Sequence, residues 1–99
     1  MPDPNEVRWT ESAAQDLEEI SEYIRRDRPA AADAVAQSLF DEANRLRFLP
    51  GRGRIGSIPG TRELVVSGMP YIIVYRITST AVQILRIYHG ARNWPASTG

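Results

Sequence analysis

The chain has 99 residues and no net charge at pH 7, and its composition is 42% hydrophobic and 24% charged. These values are typical of one globular domain with a modest core. With no cysteine and one histidine, the chain excludes disulfides and cysteine nucleophiles and argues against structural zinc. Its longest uncharged apolar run, Met69 to Tyr75, is too short for a membrane span or a signal-peptide core. We therefore expect a cytoplasmic protein with no membrane partner, metal or other cofactor.

The neutral total hides two oppositely charged halves. Residues 1–44 hold eleven acidic residues and four arginines, whereas residues 45–99 hold eight arginines and one acidic residue, Glu63, so the halves carry −7 and +7. An arginine-rich half can steer an anionic partner towards itself, but the two halves can equally neutralise each other across the fold. All twelve basic residues are arginine, whose planar guanidinium groups suit phosphate or carboxylate.

The first half predicts a short strand and two helices. Apolar and polar residues alternate up to Thr10, as in a strand. Thr10 or Ser12 can cap the helix that follows, and Ser12 also begins a capping-box pattern. Apolar residues then recur at helical spacing until Pro29, which breaks the first helix and suits the first position of the second. The second helix ends before Pro50, so the pattern predicts a helical hairpin with one buried face.

Residues 50–61 are rich in glycine, proline and arginine and predict a mobile, basic connecting loop. Gly51 to Gly56 formally match the GxGxxG pattern of dinucleotide-binding proteins. That fingerprint follows a strand and opens a helix, whereas this segment follows a helix and leads to strands. The match therefore carries little weight.

The second half predicts three consecutive strands at residues 62–66, 70–77 and 81–88, joined by short turns. Such strands are antiparallel neighbours, and the helical hairpin can cover one face of their sheet. Arg76 and Arg86 interrupt apolar strands, so we expect both to point outward on the uncovered face. The predicted fold class is α+β, with an N-terminal strand, a two-helix hairpin and a three-strand antiparallel meander. We expect a single domain spanning residues 1–99, with a C-terminal tail at residues 93–99.

A series of motifs runs along almost the whole chain. Its segments are Val7-Arg8-Trp9-Thr10 with Ala13, Asp16-Leu17, Ile20 and Tyr23-Ile24, then Gly60-Thr61-Arg62-Glu63-Leu64, Pro70 to Ile77, and Val82 to Pro95 with His89-Gly90-Ala91-Arg92 and Trp94. In order and spacing the series resembles the RelE/ParE superfamily of bacterial toxins. The resemblance implies two helices packed on a small antiparallel sheet, in agreement with the predicted elements.

The resemblance also implies partners. A toxin of this kind belongs to a type II toxin–antitoxin system, inhibits growth, and is neutralised by a cognate antitoxin through which the complex contacts operator DNA. An open sheet edge suits addition of an antitoxin strand, and the arginines suit an acidic antitoxin tail. Trp94 either packs the C-terminus onto the sheet or forms a partner contact. The candidate partner-binding residues are Arg52, Arg54, Arg62, Arg76, Arg86, Arg92 and Trp94.

The superfamily divides by mechanism. RelE-like members are implied to cleave messenger RNA on the ribosome, whereas ParE-like members bind DNA gyrase. RelE-like ribonucleases commonly carry an arginine two positions before the Val-Tyr pair of the middle strand, and Ile72 holds that position here. An aliphatic side chain cannot stabilise the charge of a phosphoryl transition state. This difference favours gyrase binding.

A ribonuclease remains the alternative, with Glu63, Arg86, His89 and Arg92 as its catalytic set. Glu63 would act as the base, His89 as the acid, and Arg92 would hold phosphate. Equally, His89 can be a hydrogen-bonded structural residue, and Glu63 can pair with a neighbouring arginine. A second alternative is an inactive toxin-like domain that binds only the antitoxin.

Overall fold

The described part of the chain begins with a strand that leads into two helices and then four further strands. A computed structural model describes residues 6–91, so Arg92, Trp94 and the predicted tail at residues 93–99 lie outside the described part. The elements are β1 (Glu6–Trp9), α1 (Glu11–Asp27), α2 (Pro29–Arg45), a 3₁₀ turn (Pro50–Arg52), β2 (Arg54–Ile55), β3 (Arg62–Val65), β4 (Tyr71–Ile77) and β5 (Ala81–His89). This confirms the predicted α+β fold class.

Local signals set the limits of the helices. Thr10 is the N-cap of α1, and its hydroxyl accepts a hydrogen bond of 3.1 Å from the backbone N–H of Ala13. Ser12 therefore lies inside α1, and of the two predicted caps only Thr10 is used. Between the helices Arg28 leaves helical geometry, with φ −139° and ψ 73°, as expected for the residue before a proline. Pro29 then opens α2 at a position where its missing N–H costs nothing.

One five-stranded sheet runs in the order β1-β5-β4-β3-β2. The meander of β3, β4 and β5 is antiparallel as predicted, and β1 adds to β5 in parallel, with Val7 opposite Val82. The interpretation of residues 50–61 as a mere connecting loop was wrong. Part of this segment is β2, in which Arg54 pairs with Glu63 and Ile55 with Arg62. Among residues 6–91, β1 and β2 are thus the two edges of the sheet.

The core lies between the two helices and one face of the sheet. Its fully buried side chains include Leu39 and Leu46 from the hairpin and Ile73, Tyr75 and Ile84 from the sheet. Burial of such side chains stabilises a fold by roughly 1.5–3 kcal/mol each. Within residues 6–91, neither helix is long and apolar enough to cross a membrane.

Candidate functional site

A single tyrosine fastens the arginine-rich segment that follows α2. The buried hydroxyl of Tyr75, on β4, donates a hydrogen bond of 2.7 Å to the carbonyl of Pro50 and accepts one of 2.8 Å from the N–H of Gly53. Burial raises the pKa of this hydroxyl above its ordinary value. A Cβ atom on Gly53 would stand 2.7 Å from the hydroxyl oxygen, so this position requires glycine.

Two arginines hold the same segment from other directions. The Arg62 guanidinium donates to the carbonyls of Gly53, at 2.7 Å, and Gly51, at 3.4 Å. Arg52 donates at 3.2 Å to the carboxylate of Glu42 on α2. The segment is therefore fixed to both the sheet and the helical hairpin. Two of the predicted partner-binding arginines take part in this fastening.

Glu63 lies on the opposite face of the sheet from Tyr75. One of its carboxylate oxygens accepts from Nε and Nη2 of Arg54, at 3.2 and 3.0 Å. The other accepts from the backbone N–H and the hydroxyl of Ser57, both at 3.2 Å. Burial pushes the pKa of Glu63 upward, but the hydrogen bonds from Ser57 and Arg54 together outweigh it and leave this pKa below its ordinary value. Glu63 is therefore an ionised group that fixes the turn after β2.

The register places Arg86 opposite Val74, on the same face of the sheet as Arg76, as expected, but the Arg86 side chain also binds α1. Its Nε and Nη2 atoms donate to the two carboxylate oxygens of Asp16, at 2.7 and 3.0 Å. A β-bulge at Leu85 changes the alternation of β5, so that Val74 faces Arg86 whereas Tyr75 faces Ile84. Exposed Arg76 instead donates at 2.7 Å to its cross-strand neighbour Gln83.

His89 and Glu63 lie on different faces of the sheet. His89 is the cross-strand partner of Tyr71, a core residue beneath the helices, and their rings meet edge to face at 5.6 Å. Its Nδ1 atom accepts a hydrogen bond of 3.1 Å from the N–H of Ala91. Glu63 is instead paired with Val74, whose side chain points to the other face because alternate residues of a strand do so. Of the described members of the proposed ribonuclease set, Glu63 and Arg86 thus both lie opposite Val74 on one face of the sheet, whereas His89 lies on the other.

The structure also reveals exposed apolar residues that are not among the site residues predicted from the sequence. Phe48, Leu49 and Ile55 flank the fastened segment and are 71, 65 and 76% exposed. The available signal was the presence of large apolar residues among arginines in a segment with no acidic residue. Within the described residues, no group of three or more histidine, aspartate or glutamate side chains could hold a metal ion.

Two cavities adjoin the last turns of α1. The first, of about 530 Å³, lies between α1 and the end of β5 and is bordered by Ile20, Tyr71 and His89. The second, of about 430 Å³, lies between the helical bend and the turn before β4, beside Met69. Tyr23 borders both cavities, and neither is lined by any residue between positions 36 and 67.

Comparison with known proteins places the chain in a family. Residues 7–94 match the family model described as ParE toxin of the type II toxin–antitoxin system, parDE. The chain is 44% identical over 89 residues to the proposed toxin Y4kP of Sinorhizobium fredii, covering 90% of this chain and 92% of that protein. It is 41% identical over 87 residues to Toxin RelE2 of Caulobacter vibrioides, covering 88 and 97% of the two chains. It also resembles a chain in the structure of the chromosomal ParDE toxin–antitoxin system of P. aeruginosa, with a TM-score of 0.79 and 29% identity over 85% of this chain and 94% of that one. The chain therefore belongs to the ParE toxin family of type II toxin–antitoxin systems.

Proposed function

We propose that this toxin inhibits growth by binding DNA gyrase and is neutralised by a cognate antitoxin. The observation that carries the proposal is the separation of Glu63 from His89 on the two faces of the sheet. Acid–base cleavage of RNA needs both groups within hydrogen-bond reach of the reacting atoms. A binding function makes no such demand on them.

The states of the remaining groups support the same conclusion. The charge of Arg86 is directed to Asp16, and the carboxylate of Glu63 already accepts from Arg54 and Ser57. Ile72, at the position where a ribonuclease would carry arginine, is 9% exposed and adds no charge to either face. A phosphoryl transition state draws its stabilisation from preorganised cations, and loss of one such group costs roughly a hundredfold in rate.

Antitoxin binding is supported by the sheet edges and the exposed arginines. β1 and β2 end the sheet on either side, and an edge strand offers unpaired backbone groups to an incoming strand. The side chains of Arg52 and Arg54 are 41 and 58% exposed despite their internal ion pairs. Both guanidinium groups can therefore bind a further anionic group, such as a carboxylate of an acidic antitoxin segment.

The ribonuclease is retained as the second candidate because one relative is named Toxin RelE2. Under that proposal the chain would cleave messenger RNA on the ribosome. Binding of the toxin to the ribosome would have to move Glu63 or His89, because their side chains point to opposite faces of the sheet.

The deciding experiment compares purified toxin in two assays, with and without an excess of antitoxin. We expect inhibition of gyrase supercoiling, relief of that inhibition by antitoxin, and no cleavage of message on translating ribosomes. Ribosome-dependent cuts with unaffected supercoiling would instead establish the second candidate. A protein that binds antitoxin but fails both assays and does not arrest growth would be the inactive domain.

A further inference from the structure

The segment from Arg47 to Ile55, called the strap here, is held far more firmly than a connecting loop requires. The Tyr75 hydroxyl and the Arg62 guanidinium together make four hydrogen bonds to backbone atoms of Pro50, Gly51 and Gly53. The chain thus maintains this backbone in one conformation before any partner arrives. A preformed binding segment gains affinity because little conformational entropy is lost on association.

What the strap presents is apolar. Phe48, Leu49 and Ile55 are each at least 65% exposed. Ile55 shares the helix-side face of the sheet with Arg62 and Tyr75, the face from which both side chains reach the strap backbone. Large apolar side chains exposed on a rigid backbone are typical of contact residues in protein interfaces.

The form of the strap indicates the form of its partner. Its apolar side chains protrude, and neither cavity described above is lined by strap residues. Protruding side chains need recesses on the partner, so the partner surface is folded and concave. An antitoxin that wraps its toxin as an extended segment would instead need a recess on the toxin.

The charge around the strap indicates the chemistry of that recess. No acidic residue lies between positions 43 and 62. The nearest carboxylates, Glu42 and Glu63, are largely buried and already paired with arginines. Arg47 stacks at 4.9 Å over the Phe48 ring, which fixes a cation beside an exposed apolar side chain. The complementary surface is an apolar recess with an acidic rim.

We propose that the strap is the surface through which the toxin engages its folded protein target, by insertion of Phe48 and Leu49 into an acid-rimmed apolar recess. The inference rests on the proposed function, under which this target is DNA gyrase. It makes target binding separable from antitoxin binding, because Phe48 and Leu49 then engage the target, whereas the contacts proposed for the antitoxin fall on the strand edges and on Arg52 and Arg54.

The test compares two double variants that remove exposed apolar side chains from different places. Phe48→Ser/Leu49→Ser alters the strap, whereas Tyr23→Ser/Val65→Ser removes side chains that are 67 and 52% exposed on α1 and β3. A third variant, Leu49→Asp, places a negative charge against the acidic rim. Each is assayed for inhibition of gyrase supercoiling, for affinity to the antitoxin and for thermal unfolding.

We expect the strap variant and Leu49→Asp to need at least about tenfold more protein than wild type for half-inhibition of gyrase, because interface hot spots of this kind cost more than about 1.4 kcal/mol. The control should remain within about twofold of wild type, and the strap variant should keep its melting temperature and antitoxin affinity.

Unchanged gyrase inhibition by the strap variant would overturn the inference, as would an equal loss in the control. Loss of antitoxin affinity with intact gyrase inhibition would overturn it as well and would assign the strap to the antitoxin. If wild-type toxin itself leaves supercoiling unaffected, the proposed function fails first, and the failure is recognised without any variant.

Discussion

Asp16 and Arg86 lie seventy positions apart in the chain and join α1 to β5 where β1 has already ended. β1 pairs with β5 only as far as Ile84, and beyond it Asp16 takes over by accepting a hydrogen bond of 2.9 Å from the N–H of Ile87. The Asp16 carboxylate therefore accepts hydrogen bonds both from the Arg86 guanidinium and from a backbone N–H at the edge of β5 that β1 leaves unpaired. The pair also joins the acidic first half of the chain to the basic second half.

Replacement of Asp16 should weaken this junction. Asp16→Ala leaves the Arg86 guanidinium and the Ile87 N–H without their shared acceptor, and we expect a loss of about 2 kcal/mol in the free energy of unfolding. The matched control is Asp33→Ala, which breaks the exposed ion pair with Arg25 and should leave stability essentially unchanged. Urea denaturation measures both variants, and equal effects would contradict the role given to Asp16.

A second prediction concerns two glycines of the strap. Gly53→Ala places a Cβ atom against the Tyr75 hydroxyl and should cost about 1–3 kcal/mol of stability through local overpacking. Gly51→Ala meets nothing within 4 Å and should be neutral or stabilise by up to about 1 kcal/mol. The comparison by thermal and urea unfolding is internally controlled, because both changes add the same methyl group. A Gly53→Ala protein as stable as wild type would show that the strap backbone adjusts to the added methyl group and is not held in one conformation.

A third prediction concerns pH and Glu63. The pKa of Glu63 is lowered from 4.5 in the folded chain, so its pairing stabilises the fold at higher pH. This contribution is fully present above the ordinary pKa and is lost as the pH falls through the lower, folded value. We expect Glu63→Gln to reduce stability at neutral pH by about 1–2 kcal/mol and to make the decline below about pH 4.5 shallower than in wild type. Parallel curves for the two proteins across this range would refute the assignment.

The sequence predicts the elements of this fold well but the long-range contacts less well. Helical spacing, Pro29 and the three alternating strands depend on neighbouring residues, and these predictions were confirmed. The ion pair of Arg86 with Asp16 was not predicted, because it joins residues seventy positions apart in the chain. The strand β2 was missed since it has only two residues and follows a segment that is fastened by Tyr75, whose partners lie 22 and 25 positions away. The candidate site shows the same limit, because spacing alone does not reveal which face of the sheet Glu63 and His89 occupy.

The final prediction uses the separation of Glu63 from His89 to distinguish gyrase binding from RNA cleavage. Under the gyrase proposal, His89→Ala should leave growth arrest and inhibition of supercoiling at the wild-type level. The reason is that the imidazole has a structural role: it packs against Tyr71 on the helix-side face of the sheet and accepts a hydrogen bond from the N–H of Ala91. A ribonuclease that used His89 as its acid would instead lose at least about a hundredfold in cleavage rate. Both assays need wild-type and variant proteins at equal, measured concentration. Loss of toxicity with an unchanged melting temperature would contradict gyrase binding as the mechanism and return His89 to the catalytic set.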